Sequence, residues 1–112
     1  MSERRMITTG AFMVDASIRW LSHNDGSIEV SYFVPGAFGH WQLFMAIKDP
    51  SVLLEALRRF EDKDEDVQYA GFDVFREGGT ICIMRKERAV CINAMDLQRL
   101  IAWLSELEAG SS

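Results

Sequence analysis

The sequence is poor in the residues that build small stapled or metal-held proteins: it has two cysteines, Cys82 and Cys91, and two histidines, His23 and His40. Two cysteines are too few for a disulfide scaffold, and no second Cys/His pair stands at zinc-ligand spacing. No metal and no other cofactor is therefore expected. Two prolines, eight glycines and no polar low-complexity tract in 112 residues argue against disorder. No apolar run approaches the roughly 20 residues a membrane-crossing helix needs, so no membrane partner is expected. Behind Met1-Ser2-Glu3-Arg4-Arg5-Met6 there is no apolar segment, and neither end carries a lipidation signature, so a cytoplasmic location is expected.

Catalytic motifs are missing as well. There is no GxSxG, HExxH, P-loop or dinucleotide glycine pattern, and Gly36-Ala37-Phe38-Gly39 leads into a strand rather than a helix N-terminus. A nucleophile and base would need a Ser or Cys brought beside His23 or His40, which read as a turn residue and a strand-edge residue. The chain is accordingly expected not to be an enzyme, with no catalytic residues assigned.

Net charge is −5, from 12 basic and 17 acidic residues. Five of those acids and one lysine lie in Glu61-Asp62-Lys63-Asp64-Glu65-Asp66, and the rest of the chain is near −1. No overall basic field recruits nucleic acid.

What is present is alternation. Residues 12–20 place Phe12, Val14, Ala16, Ile18 and Trp20 on one side, which reads as a half-buried strand. Ile28, Val30, Tyr32 and Val34 repeat the pattern, with Glu29, Ser31 and Phe33 opposite. Between them, a three-residue loop with Gly26 left-handed pairs Trp20 with Val30 and Ile18 with Tyr32. A third strand at about 40–48 alternates Trp41, Leu43, Met45 and Ile47 against Gln42 and Lys48. A helix capped by Asp49 and opened by Pro50 should bury Leu53, Leu54, Leu57 and Phe60 and end near Phe60. The acidic run then forms the loop.

The second half repeats the order with strands at 67–76, 80–86 and 89–93, the last two joined by a turn around Glu87-Arg88. A second helix follows, capped by Asn93, with Leu97, Leu100, Ile101, Leu104 and Leu107 as its stripe and Gly110 at its end. The fold class is α+β: one domain over 1–112, two βββα halves at about 6–61 and 66–109, an antiparallel sheet, and both helices on one side.

Strands 80–86 and 89–93 are apolar on both faces. Ile81, Ile83, Val90 and Ile92 suit the helices. Cys82, Met84 and Cys91, with Phe75, need a second cover, either the chain's first sheet or another subunit, which makes a homo-oligomer the expectation. Both cysteines point to that face of one hairpin, directly opposite if residues 85–88 form a four-residue loop and diagonal if only Glu87-Arg88 turn, and they read as small buried hydrophobes rather than a redox pair.

Phe38 is the aromatic that periodicity does not place in the core; it either tucks back onto the sheet or is a recognition residue. Asp62, Asp64 and Asp66 begin a calcium-type spacing, but Val67 stands where that loop needs Gly and Asp73 where it needs Glu, so they are read as a solvated docking tip. Phe38, Cys82, Met84, Cys91, Asp62, Asp64 and Asp66 are thus the candidate contact residues of a non-enzymatic protein-binding module, an adaptor, inhibitor or assembly factor. The alternative is a single-stranded DNA- or RNA-binding protein using its sheet and the Arg85, Lys86, Arg88 tip. In element order the chain resembles the Whirly and PUR-type single-strand nucleic-acid binders, whose repeats have four strands where three are read here. The Trp41 strand leading to Leu53-Leu54-Glu55-Ala56-Leu57 is similar to that of the SsgA-like sporulation regulators. The resemblance implies nucleic acid as the alternative partner, and no site residue is carried over from it.

Overall fold

The computed structural model describes residues 10–15 and 18–110, and the chain divides between Asp49 and Pro50 into two compact units. The fold is α+β, with two four-stranded antiparallel sheets and two helices.

The first unit holds β1 (Gly10–Asp15), β2 (Ile18–Ser22), β3 (Ile28–Val34) and β4 (His40–Ile47), hydrogen-bonded in that order. The strand expected over 12–20 is therefore two strands of a hairpin. Its turn is hidden in the sequence because Phe12 lies directly opposite Trp20. From Gly10 to Met13 each residue faces one of the same parity, and a bulge at Val14 then sets Asp15 opposite Ile18, so the alternation read along 12–20 covers two paired arms rather than one strand. No Gly, Pro or Asn marks the turn, and Ala16 lies outside the described residues.

Between β2 and β3 the expected register is present, Trp20 opposite Val30 and Ile18 opposite Tyr32. Gly26, at φ 88°, donates its N–H to the His23 carbonyl at 3.0 Å, and the Asp25 carboxylate accepts from the backbone N–H of Ser27 at 2.9 Å. A left-handed residue at this point lets a short loop match the twist of the strands.

The pairing of β3 with β4 shifts at one residue. Val30 faces Met45, but Ser31 faces Leu43, which leaves Phe44 as a bulge. Met45 and Ile47 keep company with Val30 and Ile28, whereas Leu43 and Trp41 are turned to the other face with Ser31 and Phe33. The single alternation expected for Trp41, Leu43, Met45 and Ile47 is thus broken in the middle. Trp20, Ile28, Val30, Met45 and Ile47 are all buried on the first face.

The second unit holds α1 (Pro50–Lys63), β5 (Val67–Tyr69), β6 (Phe72–Glu77), β7 (Thr80–Arg85), β8 (Arg88–Ile92) and α2 (Ala94–Gly110). The strand expected over 67–76 is cut at Ala70-Gly71, whose φ values of 52° and 90° form the tight turn of a two-residue hairpin. Each half thus has four strands rather than three. Phe72, Val74, Ile81, Ile83, Val90 and Ile92 line one face and are buried. Helix α1 packs on β5 and β6, α2 on β7, and the helices pack on each other. Each such fully buried Phe, Val or Ile is worth about 1.5–3 kcal/mol of transfer free energy.

Helix α1 runs one turn beyond Phe60, so Glu61, Asp62 and Lys63 are helical rather than loop. Asp64 closes it in the left-handed conformation, φ 55°, with its N–H donated to the Phe60 carbonyl at 2.7 Å. Arg76 donates to the Asp64 carboxylate at 2.6 Å and lies over the Phe60 ring, 5.6 Å from its centroid, while Gln98 donates to Glu61. The Asn93 cap expected from sequence is in place at α2, where its side chain accepts the Asp96 N–H at 2.7 Å. Asp96 takes its own partner forward, from Arg99 at 2.9 Å.

Candidate functional site

The bulge at Phe44 builds a surface that the period-two reading assigned to the core. On the outer face of the first sheet, Phe33 lies opposite Trp41, their rings edge to face with centroids 5.3 Å apart. The Arg19 guanidinium reaches from β2 across β3 to cover Trp41, 4.1 Å from the ring centroid. Leu43 sits two residues along, 53% exposed, and Phe33 is 37% exposed. Phe38, in the loop between β3 and β4, is 90% exposed and so does not tuck back onto the sheet. Gly39 supports this group from below, since a Cβ there would overlap the tip of the Phe33 ring. β4 is the last strand of its sheet, so its far edge has no ladder partner among the described residues.

Sequence reasoning missed Phe33, Trp41 and Leu43. The usable signal was Phe33 itself, a large aromatic on the side of its strand that also carries Glu29 and Ser31.

The same face continues into a polar strip. Ser31 donates to one oxygen of Glu29 at 2.9 Å, and His23 Nε2 lies 3.1 Å from the other. Ser, Glu and His are together, but the carboxylate stands between the other two. The Ser31 hydroxyl therefore has no imidazole base, and at 1% exposure it is closed to substrate. His40 is exposed and lies opposite Val34.

In the second unit the face away from the helices carries Phe75, Cys82, Met84 and Cys91, as the apolar patterning predicts. The state of the cysteines differs from expectation. Cys82 and Cys91 are directly opposite in register, with Cα atoms 4.1 Å apart, and are joined as a disulfide. Two cysteines face to face on adjacent strands leave their sulfurs within bonding reach, which the reading of each as a separate small hydrophobe overlooked. Cys82 is 3% exposed, Met84 is half-buried and Cys91 is exposed.

The remaining candidates are dispersed. Asp64 is engaged by Arg76, and Asp62 and Asp66 are exposed around it. No cluster of three acidic, His or Cys side chains suited to a metal ion occurs among the described residues. At the basic tip the turn falls at Lys86-Glu87 rather than Glu87-Arg88, with Lys86 at φ 60° and Arg85 directly opposite Arg88. Arg85 lies 4.8 Å from the centroid of Phe72, a ring that is itself buried, so the tip offers cations without an open stacking platform.

No family, no curated protein and no solved structure matches this chain.

Proposed function

We propose that this chain is a non-enzymatic protein-binding module, of the adaptor, inhibitor or assembly-factor kind, whose contact surface is the outer face of the first sheet. The observation that carries the reading is the grouping of Phe33, Phe38 and Leu43, three large exposed apolar side chains on one strand pair and its connecting loop. Scattered apolar residues are ordinary on a protein surface, whereas a contiguous group with aromatic anchors is the usual make-up of a contact site. Phe33 and Trp41 already restrain each other, which lowers the ordering cost of binding. The free edge of β4 adds backbone donors and acceptors with which an extended partner segment can pair. The partner is protein, a second copy of the chain being the first to test, and the proposed location is the cytoplasm.

A photoreactive benzophenone side chain introduced at Leu43 tests this. A protein adduct that disappears on Phe33→Ser and Phe38→Ser substitution supports the module. An adduct removed by nuclease, or none at all, rejects it.

One observation favours a second reading, single-stranded DNA or RNA binding. With four strands in each half, the element order becomes ββββα twice, the order of the Whirly and PUR-type proteins. That reading requires affinity for a labelled oligonucleotide to fall steeply with salt, and to drop similarly across sequences in the Arg85→Ala, Lys86→Ala double variant. Salt-insensitive or absent binding ends it.

A further inference from the structure

We propose that Cys82 and Cys91 form a thiol–disulfide exchange site, entered by a dithiol reductant through the Cys91 sulfur. Three features of the second unit carry this. The first is asymmetric access: Cys82 is 3% exposed, whereas Cys91 is exposed on β8, the outermost strand of its sheet. An attacking thiolate must reach a sulfur, and only one of the two is within reach of solvent.

The second feature is that the bond is not what brings its ends together. The β7–β8 ladder brackets the cysteine pair on both sides, with Ile81 opposite Ile92 before it and Ile83 opposite Val90 after it. Those four side chains are buried on the other face of the sheet. Opening the disulfide therefore leaves the two thiols face to face and ready to close again, which a reversible site requires. The third feature is the short span, nine residues from one cysteine to the other, so that opening releases one hairpin and no distant part of the chain.

The reductant's thiolate attacks Cys91 Sγ, a mixed disulfide forms, and the Cys82–Cys91 bond breaks with its electron pair on Cys82 Sγ, which takes up a proton. The reductant's second thiol, once deprotonated, attacks the mixed disulfide and releases Cys91, which is protonated in turn. Two electrons and two protons have moved, leaving two protein thiols and an oxidised, disulfide form of the reductant. A disulfide oxidant runs the same steps backwards. In the reducing cytoplasm such disulfides belong to exchange chemistry rather than to scaffolding.

The test uses the full chain and intact-mass spectrometry after acid quench and alkylation. The wild-type protein in dithiothreitol without denaturant is expected to yield two alkylatable thiols with its far-ultraviolet circular dichroism unchanged, and to lose both on transfer to oxidised glutathione. Cys82→Ser is expected to take up one glutathione from oxidised glutathione, and Cys91→Ser none until urea is added. A wild-type disulfide that survives dithiothreitol until urea is added overturns the proposal. So does loss of the sheet signal on reduction, equal glutathione uptake by the two variants, or a wild-type protein that keeps two free thiols in oxidised glutathione.

Discussion

Gly39 lies directly beneath the ring of Phe33, so close that a side chain at Gly39 and the present position of that ring are mutually exclusive. The clash is with the far end of a side chain rather than with backbone. Gly39→Ala is therefore expected to swing Phe33 off Trp41 at a stability cost of no more than about 1 kcal/mol. Near-ultraviolet circular dichroism and Trp fluorescence should change while the unfolding midpoint barely moves. A large loss of stability would mean that the ring cannot leave.

Leu43 and Met45 are two residues apart, and a regular strand would treat them alike. Because Phe44 is bulged, Leu43 is 53% exposed and Met45 6%. Met45→Ser should cost about 2–5 kcal/mol, from a cavity and a buried hydroxyl, whereas Leu43→Ser should stay within about 0.5 kcal/mol. Urea unfolding of the pair measures the bulge directly, and equal costs would refute it.

Closing the Cys82–Cys91 ring removes freedom from the unfolded chain. For a ring of this size the stabilisation is about 2–3 kcal/mol, so the reduced protein should unfold at lower urea by that margin while remaining folded in its absence. Parallel titrations with and without dithiothreitol provide the check.

The Asn93 side chain satisfies the Asp96 N–H at the start of α2. Asn93→Ala should cost about 0.5–2 kcal/mol, and Asn93→Gly only a few tenths. The order of the two variants in thermal unfolding distinguishes a capping role from simple packing.

Lys86 holds a left-handed backbone in the two-residue turn between β7 and β8. Replacing it by Gly removes the conflict between Cβ and the following carbonyl, and Lys86→Gly is expected to raise stability by about 1 kcal/mol. The chevron of the variant should show which limb carries the gain.

Much of the fold was legible because its signals were local. The Gly26 loop, the Asp49-Pro50 start, the Asn93 cap and the two-faced strands around Cys82 each need only a few neighbouring residues. What escaped depended on pairing. The first hairpin was hidden because most of its pairs, Phe12 with Trp20 among them, match in parity and only the bulge at Val14 departs from it, and the Ala70-Gly71 turn lacked the usual Asn or Asp before its glycine. The Phe44 bulge is a property of two strands together, and no alternation within β4 announces it. That one residue moved Trp41 and Leu43 from the expected core to the candidate contact face. Cys82 and Cys91 were correctly placed on one face, but a bond between them follows only from the register that sets them directly opposite.

The disulfide also determines how the second unit bears load. β8 passes through Ile92 and Asn93 straight into α2, so once α2 and the Ile81–Ile92 rung have yielded, tension applied beyond that helix arrives at Cys91. In the oxidised protein the force then crosses to β7 through a covalent bond. The turn at Lys86-Glu87 and the ladder rungs between the cysteines and that turn never feel it. Reduction returns about 30 Å of contour to the chain and makes the outermost strand a part that can be peeled away rung by rung.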